Sequence, residues 1–225
     1  MVARARPVIA IDGPVGAGKS TIARLLAQRL GFRYVDTGAM YRSVAWRAAA
    51  LGIDLQAQEK VAQVARTLRL EFVPAPEGQR VVVDGMDVSD AIRSPEVSEG
   101  ASVVSVYPEV RRAMVALQRR MGADGGVVME GRDVGTVVFP DAEVKIFLDA
   151  SLDERARRRY EELRAKGAAV SYDEVRVALL ERDRRDVTRN HSPLRAAPDA
   201  LVIDSTTLSV GEVVERIHRH VVSRR

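Results

Sequence analysis

The sequence predicts an α/β fold: a five-stranded parallel sheet covered by helices. Five short apolar runs, at 8–11, 32–35, 127–129, 144–148 and 201–203, are each closed by an acid, namely Asp12, Asp36, Glu130, Asp149 and Asp204. A segment of helical character follows each run. Strands buried on both faces read as unbroken apolar runs rather than alternating ones, and strand–helix alternation builds parallel sheets. A glycine-rich loop at 13–20 separates the first run from its helix. The 225 residues suit one domain with small excursions.

Taken in order, the helix after the loop spans 19–30, with Ile22, Leu25, Leu26 and Leu30 at helical spacing and Gly31 where a C-cap belongs. The second run closes in a turn at 36–38, and the next helix is expected over 39–51. From about 70 to 92 the pattern changes to short strands with turns at 74–78 and 84–85, an insertion of antiparallel type. Ser94 followed by Pro95 marks an N-cap and a first helical position. Pro108 opens a helix to 121, with Val110, Met114, Leu117 and Met121 on one stripe. Three later helices open on Ser-x-x-Glu capping boxes: Ser151 with Glu154, Ser171 with Glu174, and Ser209 with Glu212.

Composition excludes several classes. Hydrophobic residues make up 46% and charged residues 29%, as in an ordinary globular chain. No apolar run approaches the roughly 18 residues of a membrane span. The N-terminal apolar stretch is too short for a signal peptide, so the expectation is a cytoplasmic protein. Without cysteine there is no disulfide, thiolate zinc site or cysteine nucleophile. Two of the three histidines, His218 and His220, lie in the C-terminal tail, which argues against a histidine-rich metal site. The net charge of +4 favours anionic partners. Lysine supplies only four of the 35 basic residues. Arginine's planar fork suits phosphate, although a GC-rich coding bias produces the same excess. Aromatic residues at 4% are too sparse for a nucleic-acid stacking platform, and no nucleic-acid-binding motif is present.

The chemistry begins at Gly13-x4-Gly18-Lys19-Ser20, which matches the Walker A phosphate loop at every fixed position. Its glycines let the backbone turn N–H groups toward phosphate oxygens, and the following helix adds its positive end. The residues expected to hold a triphosphate donor are Gly13, Pro14, Val15, Gly16, Ala17, Gly18, Lys19, Ser20 and Thr21. Lys19 is expected on the β- and γ-phosphates, and Ser20 on Mg²⁺. Glu130 ends an apolar strand where a metal-side acid is expected; its other reading is a carboxylate that caps the Gly131 turn. Asp36 carries a similar ambiguity between a direct role and local bonding in its own turn. Arginines cluster at Arg155, Arg158 and Arg159, and Arg182, Asp186 and Arg189 share a helix face at i, i+4 and i+7. Arg42 and Arg132 each follow a strand-end turn. Charge runs are usually solvated faces, but phosphoryl transfer to an anionic acceptor needs several cations from separate segments.

The segments DTGAMYR at 36–42, GRDVGTVVFPDAEVKIFLDAS at 131–151, ERDRRD at 181–186 and DSTTLS at 204–209 resemble bacterial cytidylate kinases over nearly the whole chain, roughly 7–222. The resemblance implies the P-loop NTPase fold of nucleoside monophosphate kinases, with ATP as donor, Mg²⁺ as cofactor and CMP or dCMP as acceptor. It implies a core at about 7–62, 100–150 and 169–222, an acceptor-binding insert at about 63–99 and a lid at about 151–168. It implies further that Arg42, Arg132 and Arg189 grip the acceptor phosphate, and that Ser102, Arg111 and Asp133 read cytosine. Arg182 and Asp186 would touch the sugar, and Asp36 and Thr37 would lie on the acceptor side. Arg155, Arg158 and Arg159 would close over the ATP phosphates, with Lys19, Arg132, Arg158 and Arg189 bearing on the transfer itself. Ser20 and Glu130 are the metal-side residues. Glu130 stands where many relatives carry aspartate, and Thr37 where some carry serine. A monomer acting on free nucleotides, without nucleic acid or membrane partners, is expected. The competing reading is a kinase for another small acceptor, such as another nucleoside monophosphate, shikimate or dephospho-coenzyme A.

Overall fold

The computed structural model describes residues 4–75 and 78–224. The expected 74–78 turn thus includes two residues outside the described ones, 76 and 77; residues 1–3 and 225 also lie outside them. In chain order the elements are β1 (Val8–Asp12), α1 (Lys19–Leu30), β2 (Arg33–Asp36), α2 (Thr37–Ala50), α3 (Gln58–Thr67), β3 (Leu70–Ala75), β4 (Gly78–Val83), β5 (Met86–Asp87), α4 (Pro95–Val104), α5 (Pro108–Gly122), β6 (Val127–Gly131), β7 (Val144–Asp149), α6 (Leu152–Ala165), α7 (Tyr172–Thr188), β8 (Leu201–Asp204) and α8 (Val210–Val222). A one-turn 3₁₀ helix spans Ala91–Arg93, and a π-type turn spans Val134–Val138.

Two compact units emerge: one comprises residues up to Tyr34 and from Gly122 onward, the other Val35–Met121. The first is built on a five-stranded parallel sheet in the order β2-β6-β1-β7-β8. Every residue of β1 and β6 is buried, which accounts for their unbroken apolar runs. Ile9 and Ile11 of β1, Ile146 and Leu148 of β7 and Ile203 of β8 pack with Ile22 and Leu26 of α1 and Val213, Ile217 and Val221 of α8 into one core. Helices α6 and α7 pack on each other through Ala156, Val175 and Leu179. The second unit is a small antiparallel sheet, β3-β4-β5, with α2 packed against α3 and α4. Its tight turn at Asp84 and Gly85 has φ of 51° and 83°, the paired positive values a two-residue hairpin requires.

Several boundaries differ from the sequence expectation. The second strand runs one residue later than 32–35, because Phe32 belongs to the turn after Gly31. The turn expected at 36–38 is instead the start of α2: Asp36 caps it, accepting the Ala39 amide at 2.9 Å. Helix α3 was not expected. It has no side-chain cap at Ala57, and its buried face holds only Val61, Ala62, Val64 and Ala65, so both the start signal and the apolar stripe are faint. Ser171 and Ser209 form full capping boxes. Ser151 caps α6 alone, because the Glu154 carboxylate turns away to Arg157 and Arg158. Arg189 lies one residue beyond α7, with extended ψ of 139°, and so leaves the helix face it was expected to share.

Candidate active site

The phosphate loop joins β1 to α1. Gly13, with φ of 152°, approaches the Leu148 carbonyl so closely that a Cβ would lie 1.9 Å from its oxygen, so no other residue fits. Gly18 precedes α1 in the left-handed region at φ 90°, and no side chain caps that helix, so its first amides are available to an anion. Lys19 is buried, and its Nζ donates to the Pro14 carbonyl at 2.6 Å, across the loop. Burial pushes its ammonium down to about 7, and Arg132 adds repulsion, while Glu130 and Asp186 pull the other way. Ser20, next to it, is exposed.

The loop is braced from behind. Arg155, buried on α6, donates to the carbonyls of Ala150 at 2.9 Å and Val15 at 3.3 Å and pairs with Asp183 of α7 at 2.6 Å. Arg158 donates to the Ser205 carbonyl at 2.7 Å and pairs with Glu154. The Ser205 hydroxyl lies 3.3 Å from the Ala17 carbonyl and 3.0 Å from that of Asp149, tying the DSTT segment to the loop. Arg159 pairs instead with Glu162 at 2.7 Å, on a partly exposed face.

Beside the loop, the turn after β6 carries Arg132 and Asp133. Arg132 donates from Nε to Asp186 of α7 at 2.8 Å. Burial works against the Arg132 charge, but Asp186, Glu130 and Asp183 together outweigh it and raise the guanidinium pKa. The same pairing holds the buried Asp186 below the usual carboxylate range, against the cost of burial. Arg189 approaches Asp133 at 3.8 Å, and both are buried. Glu130, also buried, accepts the Tyr34 hydroxyl at 2.5 Å. Lys19 thus senses the charges of Arg132, Glu130, Asp186 and Arg182, and Asp186 senses those of Arg132, Arg182 and Arg189. Asp12 was not singled out from sequence. Burial pushes its carboxyl up to about 7, although the Gly135 and Val134 amides that it accepts favour the charged form.

The second unit holds the remaining predicted residues. Asp36 pairs with Arg42 at 2.8 Å while capping α2, so local bonding accounts for both its oxygens. Thr37 is buried at the start of α2. Arg111 is buried on α5, donates to the Ser105 carbonyl at 3.2 Å, and lies over the Tyr41 ring at 5.7 Å. Ser105 in turn donates its hydroxyl to the carbonyl of buried Ser102 at 2.9 Å. Ser102 and Arg111 therefore belong to one connected group.

The oxygen donors Ser20 and Glu130 suit a hard cation such as Mg²⁺, which takes one or two protein ligands and completes its shell with phosphate and water. Among the described residues no three acidic or histidine side chains converge, so a site made of protein ligands alone is not formed there. Sequence reasoning missed Asp12, Tyr34, Asp183 and Ser205. Asp183 and Ser205 do lie inside the ERDRRD and DSTTLS segments, but nothing local marked their partners.

A family model described as cytidylate kinase matches residues 9–223. A cytidylate kinase of Solibacter usitatus (strain Ellin6076) is 54% identical over 221 residues, which is 97% of this chain and 94% of that protein. A cytidylate kinase of Geobacillus kaustophilus (strain HTA426) is 52% identical over 209 residues, covering 93% of each. In Synechococcus sp. (strain JA-3-3Ab) a bifunctional pantoate ligase/cytidylate kinase is 51% identical over 217 residues, 95% of this chain and 40% of that protein. Among solved structures, an uncharacterized protein from Eubacterium ventriosum ATCC 27560 shares the fold, with a TM-score of 0.53 at 13% identity over 97% of this chain and 99% of that one.

Proposed function

The chain belongs to the cytidylate kinase family and, as such a kinase, transfers the γ-phosphoryl group of ATP to CMP or dCMP in pyrimidine nucleotide metabolism; we propose which of its residues carry the step. An oxygen of the acceptor phosphate attacks the γ-phosphorus in line, its bond to the β–γ bridging oxygen breaks, and ADP leaves. That oxygen is already ionised near neutral pH, so positioning and charge neutralisation dominate over base catalysis. The observation that supports this reading is the shared field of Lys19 on the phosphate loop and the Arg132–Asp186 pair beside it.

Gly13 to Thr21 hold the donor, with Lys19 neutralising its β- and γ-phosphates. Its lowered proton affinity fits a group that recovers full charge only when phosphate arrives. Arg132, Arg189 and Arg42 hold the acceptor phosphate. Ser102, Arg111 and Asp133 read the base, Arg182 and Asp186 the sugar, and Asp36 and Thr37 complete the acceptor side. Arg155, Arg158 and Arg159 belong to a lid at about 151–168, and the acceptor insert is about 63–99, both within one catalytic domain. Mg²⁺, held by Ser20 and Glu130, would neutralise charge developing between the β- and γ-phosphates. No helix among the described residues is long and apolar enough to cross a membrane. We read the enzyme as a cytoplasmic monomer that works on free nucleotides.

A coupled ADP-release assay over a panel of acceptors tests the reading. CMP and dCMP should give by far the highest kcat/KM. A preference for shikimate, dephospho-coenzyme A or a purine monophosphate would overturn it.

A further inference from the structure

Asp12 ends β1 immediately before the phosphate loop and is buried, and its carboxylate takes its hydrogen bonds from outside that loop. Oδ1 accepts the Val134 amide at 2.8 Å, and Oδ2 accepts the Gly135 amide at 2.7 Å. These are the two residues that directly follow Asp133. Asp12 also stands opposite Gly131 in the parallel register of β1 and β6, so it flanks the Arg132–Asp133 turn from its start to its far side. The other end of the turn closes on itself: the Val137 amide donates to the Asp133 carbonyl at 2.9 Å. The two adjacent amides each take a separate oxygen on the same carbon. A carboxylate supplies both in charge-assisted bonds; a carboxamide supplies one and turns an N–H against the other donor.

We propose that Asp12 is a positioning residue for the acceptor: it clamps the turn bearing Arg132 and Asp133 to the strand that carries the phosphate loop, and so fixes the spacing of acceptor groups from donor groups. The inference rests on the assignment of Arg132 and Asp133 to the acceptor. A group that merely stabilised the fold would weaken both substrates alike. A positioning group of this kind acts on one.

The test compares Asp12→Asn with two further variants. Gly135→Ala approaches the same contact from the other side, since its Cβ would meet Oδ2 of Asp12 at 3.4 Å and Cγ of Lys145 at 3.3 Å and push the turn outward. Glu143→Gln removes a carboxylate that accepts the Val8 amide at 2.8 Å, at the far end of the same strand. Asp12→Asn should raise the KM for CMP roughly tenfold or more while the Kd for ATP stays within about twofold. Gly135→Ala should show the same split at about threefold, and the double variant should be no worse than Asp12→Asn alone. Glu143→Gln should leave both constants at their wild-type values whatever it does to the melting temperature. If Asp12→Asn does not fold, Gly135→Ala decides. An equal loss for ATP and CMP, a loss confined to ATP, or an unchanged CMP KM in the folded variants overturns the proposal. A wild-type protein that does not phosphorylate CMP would instead overturn the acceptor assignment beneath it.

Discussion

The Nε of Arg132 meets Asp186 at 2.8 Å, joining the turn after β6 to helix α7 across 54 residues of sequence. The carboxylate holds the guanidinium through Nε, Nη1 donates to the Gly131 carbonyl at 3.4 Å, and the Arg132 charge opposes that of Lys19. Arg132→Ala should therefore damage acceptor use far more than donor binding, lowering kcat/KM for CMP by roughly a hundredfold with little change in ATP affinity. Arg132→Lys should recover only part, because an ammonium lacks the planar fork. Steady-state kinetics with each substrate varied in turn checks both, and a loss falling mainly on ATP contradicts the assignment.

Lys19→Ala should lower turnover by roughly a thousandfold or more while CMP binding survives. The wild-type lysine has a pH signature as well. In the free protein burial pushes its pKa down to about 7 from an ordinary 10.5, and the charge of a bound triphosphate should raise it again. Between those values the complex holds more proton than the free protein. Binding at pH 8 should take up proton, and affinity should fall as pH rises through that window. Calorimetric titration in buffers of different ionisation enthalpy measures the uptake; none at pH 8 would refute it.

Arg155 is buried against the phosphate loop and pairs with Asp183 of α7 at 2.6 Å. Asp183→Ala leaves that guanidinium enclosed without its counter-ion, which should cost about 3 kcal/mol of stability. Because Arg155 also holds the Val15 carbonyl, ATP affinity should weaken with it. Urea unfolding and nucleotide titration of the same variant check the two effects together.

Glu154 accepts from both Arg157 and Arg158, and those bonds hold its carboxyl down at about 2. A depressed folded-state pKa contributes stability that is present above the unfolded carboxylate value, near 4.5, and is lost as pH falls through the folded one. A carboxyl NMR titration should place Glu154 well below the other exposed glutamates. Glu154→Gln should abolish that low-pH transition and loosen Arg158 from its place beside the loop. An ordinary midpoint near 4.5 would show that the arginine contacts do not persist in solution.

The sequence by itself determined whatever local rules can write. Strand β1, the phosphate loop and α1 follow from an apolar run, glycines where the backbone must turn or come close, and 3.6-residue periodicity. The caps at Ser94, Ser171 and Ser209 follow from bonds that span three residues. Helix α3 escaped because small alanines and an uncapped start leave little periodic signal. Tertiary structure alone decided the pairings that give the site its charge balance. Asp12 meets amides 122 residues away, Arg155 finds Asp183 across 28, and Ser205 reaches Ala17 across 188. Nothing in local spacing encodes such a contact, since it exists only once strands β1, β6, β7 and β8 lie side by side and helix α6 packs on α7. The same burial that makes those ends meet removes water from Lys19 and Asp12, so their altered proton affinities are properties of the folded sheet and not of the motif.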